Sequence, residues 1–352
     1  KLNYTFIFLL VSLLILCGCT KNIIGSSSSV SDISEETSSV LSSSSENSSV
    51  LKEKQILKDI AETDEYIYYI YNDGLYKASK KDKDNIIKVY SSDILFKLWI
   101  ENNNVYFSTF KNDEKKAAEL GSYIEVYKLE NDNAKCIFTQ DTIPLPTKDD
   151  VAITEFSIYN GIIYLSDPSY HLFSYNPTDG KYKIVLEDVY IYQIENNFIY
   201  YSEKMAHNYS IFQKDLNNEE VKLILTDKTN NIRYLNFLVE NKNIYYYFYN
   251  PEFEINFPHR LGFLSKTGEN TILNSIKLYL SYFILYNNKI YYIAKTENNF
   301  SIYSADFDNK TTKKIADLPN YKDMAGCKII DGKAYYFNQN SEMISAELNL
   351  EH

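Results

Sequence analysis

Hydrophobic and polar positions divide the chain into three zones. Residues 5 to 17 form an almost unbroken apolar run of about a dozen residues. That is too short to span a bilayer and is the right length for the core of a signal peptide. Residues 26 to 50 contain 14 Ser, with Asp, Glu, Thr and Asn between them and almost nothing to bury. Such a segment cannot offset its ordering entropy and is expected to act as a spacer. Beyond it, short apolar segments of strand length alternate with turns rich in Asn and Gly.

One pattern recurs in this third zone: a turn, an apolar residue that is usually β-branched, a Tyr, then an aromatic residue or Leu. It appears as Ile67-Tyr68-Tyr69, Val105-Tyr106-Phe107, Ile163-Tyr164-Leu165, Ile199-Tyr200-Tyr201, Ile244-Tyr245-Tyr246, Ile290-Tyr291-Tyr292 and Ala334-Tyr335-Tyr336. The central Tyr residues lie 38, 58, 36, 45, 46 and 44 positions apart, about 44 on average. That is the period of a four-stranded propeller blade.

The flanks repeat as well. Six of the seven motifs follow a two-residue turn signal such as Asn102-Asn103, Asn160-Gly161 or Asp331-Gly332, residues that tolerate the positive φ a tight hairpin needs. An apolar strand precedes the turn. A second aromatic strand, a polar turn and a fourth strand follow the motif. Four strands in a meander, repeated seven times, predict an all-β fold: a β-propeller of seven four-stranded blades. A sandwich or barrel of unrelated strands is the competing architecture, and it does not require seven similar flanks. The last repeat stops after Met343-Ile344-Ser345-Ala346, short of an outer strand, and residues 48 to 53 are expected to fill that place and leave no open edge.

The apolar run ends in Leu16-Cys17-Gly18-Cys19-Thr20. This resembles the bacterial lipobox, with Leu at −3, Gly at −1 and the modified Cys at +1, and it makes Cys19 the expected lipidation site. The resulting division is a signal peptide over 1–18, a lipidated Cys and Ser-rich tether over 19–50, a propeller over 51–349, and a tag remnant over 350–352. The resemblance implies a chain anchored to the cell membrane by its lipid and facing outward. Cys136 and Cys327, about 190 residues apart and in different repeats, are expected to be buried, unpaired thiols.

Composition narrows the partners. The chain carries 34 Tyr and 19 Phe among 352 residues, a strand-forming bias. Its formal net charge is −11, which repels a phosphate backbone and argues against nucleic acid. Motifs for chemistry are missing. His171, His207, His259 and His352 fall in no zinc-type spacing, and there is no nucleophile elbow or phosphate loop. Asp306-Phe307-Asp308-Asn309 begins like a calcium loop but lacks its Gly and its Glu. No catalytic residue, metal or cofactor is therefore assigned.

The repeated Ile-Tyr-Tyr, followed about ten residues later by Leu-Tyr or Ile-Tyr, is similar to the Tyr-rich propellers related to the YWTD domains of LDL-receptor-like proteins. The resemblance covers roughly residues 52 to 349, and the Trp-Thr-Asp part is missing from every repeat. It implies a binding or scaffolding module. Long connections at 109–122, 141–150 and 249–260 are predicted to gather on one face of the disc, because propeller topology sends the second-to-third-strand loops and the inter-blade connections to the same side. The third connection contains Tyr249, Phe253, Phe257, His259 and Arg260, which make it the candidate surface for a protein partner or a wall glycan. The alternative from another class is an extracellular polysaccharide lyase or hydrolase with its site in the central funnel.

Overall fold

Every strand pairing is antiparallel, and each sheet is a simple meander. The computed structural model describes residues 57–92, 94–111, 123–140, 155–167, 169–203, 210–226, 233–250, 259–273, 279–287, 289–295, 299–322 and 326–350. Blade 1 comprises Leu57–Glu62, Tyr66–Tyr71, Gly74–Ser79 and Asp82–Ser91. Blade 2 comprises Leu95–Glu101, Asn104–Lys111, Tyr123–Glu130 and Asn133–Thr139. Blade 3 follows with Glu155–Tyr159, Ile162–Ser166, Leu172–Tyr175 and Tyr182–Leu186, and blade 4 with Val189–Glu195, Phe198–Glu203, Ser210–Asp215 and Val221–Thr226. Blade 5 is Arg233–Glu240, Asn243–Tyr249, His259–Leu264 and Asn270–Leu273. Blade 6 is Tyr279–Tyr286, Lys289–Lys295, Phe300–Asp306 and Thr311–Leu318. Blade 7 has three strands among the described residues, Cys327–Ile330, Lys333–Phe337 and Met343–Glu347. The fold is a seven-bladed β-propeller. The segment expected to complete blade 7, residues 48 to 53, lies outside the described residues, as do the signal, lipobox and tether.

The Asn-rich turns behave as their chemistry requires. Asn102 and Asn103 have φ of 47° and 61°, Asn196 and Asn197 50° and 65°, and Asn241 and Lys242 52° and 65°. Two successive positive φ values define the turn whose twist matches that of the flanking strands. The preceding blade then satisfies the turn amides. The Glu195 carboxylate at the end of one inner strand accepts from the amides of Asn241 and Lys242 in the next blade, at 2.6 and 3.2 Å. Glu101 does the same for Asn160 and Gly161.

Bulges repeat as regularly as turns. In five blades the first strand carries one extra residue opposite the second strand: Lys58, Phe96, Tyr190, Leu235 or Ser281. In five blades the fourth strand carries one too, and it is β-branched each time: Val89, Ile137, Val185, Ile224 or Ile315. A bulge bends a strand and increases its twist, as a radial blade requires.

The core is not central but divided among the gaps between blades. The middle residue of the Tyr motif points toward the next blade and the residue after it toward the preceding one, because strand side chains alternate. Tyr106 therefore packs with Phe156, Ile158 and Phe173 of blade 3, while Phe107 packs with Tyr68 and Ile70 of blade 1. Each of the seven blade-to-blade interfaces has its own buried cluster. Among the described residues, the one joining blade 7 to blade 1 is the smallest, with Ile60, Ile67 and Ile330 buried.

The second and third strands add a paired aromatic layer. Phe107 stacks on Tyr127 at 5.3 Å, Tyr201 on Phe212 at 5.4 Å, and Tyr292 on Tyr303 at 5.3 Å, each across one register position. Blade 5 has Gly262 at this position, opposite Tyr246. A Cβ on Gly262 would come within 2.1 Å of the Tyr246 ring, so the ring occupies the space a side chain would take.

The two cysteines correct one expectation. Cys327 is buried and its thiol is pushed up to about 12 by burial, but Cys136 is exposed on the outer strand of blade 2. No disulfide joins them. The outer strands face water on their open side, which is why position 136 tolerates exposure.

Candidate functional site

The two-residue turns between first and second strands define one face of the disc. The opposite face receives the second-to-third-strand loops and the inter-blade connections. The strand ends that flank the three long connections, Lys111 and Tyr123, Thr139 and Glu155, and Tyr249 and His259, all lie on that second side. The intervening residues 112–122, 141–154 and 251–258, with Phe253 and Phe257 among them, lie outside the described residues.

Tyr249, His259 and Arg260 belong to strands, not to the loop. Tyr249 pairs with His259 across the hairpin, with ring centroids 5.8 Å apart, and His259 meets Tyr247 edge-on at 5.2 Å. Burial, and then the Arg260 guanidinium, push the His259 imidazole down to about 4, so it is neutral near pH 7. Arg260 departs from the expectation of an exposed anchor. It is 7% exposed, and its Nη1 donates to the His259 carbonyl at 2.7 Å. His259 and Arg260 point to opposite faces of the strand, and Arg260 shares the side of Phe248, in the cluster between blades 4 and 5.

Other aromatics mark the same side. Phe96, the bulged residue of blade 2, is 45% exposed and meets Phe110 at 4.6 Å. Tyr190, the bulged residue of blade 4, meets Tyr170 of blade 3 at 6.5 Å. Burial, then the neighbouring Tyr170, raise the Tyr190 phenol above its usual range. Beside this pair, the short loop of blade 3 holds an Asp–His pair. Asp167 Oδ2 lies 2.9 Å from His171 Nδ1, and Asp167 Oδ1 accepts from the His171 amide at 2.8 Å. In the sequence His171 falls in no zinc spacing, and Asp167 belongs to no motif. The missed signal is the i, i+4 spacing across a Pro-containing loop.

The channel is laced by the inner strands. Trp99 Nε1 donates to the Ile158 carbonyl at 3.2 Å, and Gln193 both donates to the Val239 carbonyl and accepts from its amide. A cavity of about 140 Å³ opens here, lined by Trp99, Ser157 and Tyr192 among others. Among the described residues, no group of three or more His, Cys, Asp or Glu converges. On the turn side, a groove of about 500 Å³ between blades 5 and 6 is floored by Tyr245, Phe263 and Phe307. Phe307 belongs to the calcium-like stretch. There Asp306 accepts from the Asn309 amide and side chain, both at 2.9 Å, as a closed turn does.

No protein-family model matches the sequence, and no curated protein matches it. Solved structures do match the fold. The β-propeller domain of the Trilobed protease from Pyrococcus furiosus is 12% identical over 84% of this chain and 94% of that one, with a TM-score of 0.59. An oligogalacturonate lyase from Vibrio parahaemolyticus is 8% identical over 84% and 91%, with a TM-score of 0.61. The tricorn protease is 10% identical over 83% of this chain, with a TM-score of 0.56, and this chain spans 33% of its length. At such identities the likeness is one of fold.

Proposed function

We propose that this chain is a lipid-anchored binding module that meets a protein or wall-glycan partner with the loop-bearing face of its propeller. The observation that carries the reading is asymmetry between the faces. One face is built of two-residue turns, two of them held by a carboxylate of the preceding blade. The other receives every long connection and presents half-exposed aromatics at strand ends, Phe96 among them. A rigid scaffold with its insertions on one side is the usual arrangement of a binding surface. The lipobox at Leu16 to Cys19 and the Ser-rich tether support an outward-facing anchor, and the repeat-pattern likeness to YWTD propellers points to binding.

The test is site-specific photocrosslinking in intact cells. A crosslinker at Phe110 or Tyr249 is expected to capture a partner, and one at Asn241, on the turn face, is not. Equal labelling at all three positions would refute the reading. A second reading, an enzyme acting on extracellular polysaccharide, draws on the fold shared with oligogalacturonate lyase. Release of soluble oligosaccharides from polymer by the purified chain would replace the first reading with the second.

A further inference from the structure

We infer that the Asp167–His171 pair and the rings of Tyr170 and Tyr190 form a saccharide-binding subsite on the loop-bearing face, for a neutral sugar chain. The inference rests on the proposed binding face and names what that face holds.

The geometry fixes the His171 ring. Asp167 has a side chain 1% exposed and that of His171 is 23% exposed, so the carboxylate is inside and the imidazole reaches the surface. A carboxylate only accepts, so of the two neutral tautomers this contact favours the one with its proton on Nδ1, which leaves Nε2 as the acceptor. The loop itself is locked. The Tyr170 amide donates to the Asp167 carbonyl at 3.0 Å, the Asp167 amide to the His171 carbonyl at 3.2 Å, and the Val189 amide to the Tyr170 carbonyl at 2.7 Å. The last bond joins the loop to blade 4 and sets Tyr170 against Tyr190.

Tyr170 is unusual for its backbone. Its φ is +69°, and it is the only aromatic residue with a positive φ among the described residues. Asn, Asp and Gly fill such positions with ease, and a bulky residue does not. The side chain is thus held in place by a backbone that disfavours it. Tyr190 comes from the other direction, lifted by the bulge of its inner strand. The two half-buried rings, 6.5 Å apart and tilted by 43°, stand beside the loop that carries the Asp167–His171 pair.

A sugar ring offers both complements: C–H faces for an aromatic ring and hydroxyl donors for Nε2. A protein segment does not need the pairing, and a net charge of −11 works against a polyanionic glycan. Those two facts select a neutral saccharide.

The experiment uses the full chain in detergent micelles, whose four His give few imidazole resonances. Chitohexaose and cellohexaose are the neutral probes and trigalacturonate is the anionic one. A neutral hexasaccharide is expected to shift the His171 resonance saturably and leave His259 unmoved. Tyr190→Ala and His171→Ala are each expected to weaken binding by about ten-fold or more. Asp167→Asn, which can still bond the His171 amide, should weaken it by changing the favoured tautomer. Unchanged melting temperatures separate these losses from unfolding. The inference is overturned if no neutral probe moves His171, if trigalacturonate alone does, or if binding survives both Ala variants. Loop-face crosslinks that persist in cells after such a failure would leave the binding reading intact and remove this subsite alone.

Discussion

Lys328, on the inner strand of the last blade, donates to the carboxylate of Asp59 on the inner strand of the first, 269 positions away. The same ammonium donates to the Ile60 carbonyl at 2.9 Å, and the same carboxylate accepts from the amide of Leu98 in blade 2 at 2.8 Å. Asp59 therefore ties three consecutive blades around the channel, at the interface that has the smallest apolar cluster among the described residues.

Asp59→Ala is expected to destabilise the domain by about 2–3 kcal/mol, since it leaves the Leu98 amide and the Lys328 ammonium without this acceptor. Lys328→Met is expected to cost less, about 1 kcal/mol, because the Lys side chain is 41% exposed and water screens the pair. Urea denaturation of both variants checks the order. Equal losses would show that the ion pair, not the amide bond, dominates.

Gly262→Ala is expected to cost roughly 1–3 kcal/mol by overpacking against Tyr246. Tyr246→Leu in the same chain should recover part of that cost, because it vacates the space. The double variant would then be more stable than the sum of the single losses predicts.

His259 makes stability depend on pH. Its folded value, about 4, lies below the ordinary 6.5, so the folded state resists the proton that the unfolded chain accepts. Stability is fully present above pH 6.5 and falls as pH drops from 6.5 toward 4. Glu219, held down to about 2 by Lys183 and Lys214, adds its own loss only from 4.5 downward. Between 6.5 and 4.5 His259 therefore lowers stability before Glu219 contributes, while Glu240, raised by burial and by Glu195, acts in the opposite direction. In His259→Gln the melting temperature should be flatter across that window, as a scan in half-unit steps would read.

Cys19→Ala is expected to move the protein from the membrane fraction to the soluble fraction and to abolish labelling by a palmitate analogue. Cys17→Ala should change neither. Retained labelling of the Cys19 variant would place the lipid elsewhere.

The blade count was legible because its signal is redundant. Seven Tyr motifs, six turn pairs and their spacing all state the same repeat, and every described residue of those turn pairs has the positive φ that such a turn needs. The side on which the flanking strand ends lie was legible for the same reason, since a meander fixes which ends share a side. Side-chain burial was not. Arg260 looked like an exposed anchor because it adjoins a long connection, but its place on the far side of His259 is a register fact, and one position of slip reverses it. The Asp167–His171 pair was missed because a hydrogen bond within a five-residue loop leaves no periodic trace. Gly262 also gave no warning: its role appears only when it is aligned with Tyr127, Phe212 and Tyr303 across the blades.

The uneven clusters between blades have a mechanical consequence. A ring of seven interfaces opens first at its weakest, and among the described residues the smallest apolar cluster is the one between blade 7 and blade 1. Blade 1 is also the first blade reached from the N-terminal end of the chain. A force that opened the ring there would have to part Asp59 from Lys328, so where the first and last blades meet this ion pair would carry tension.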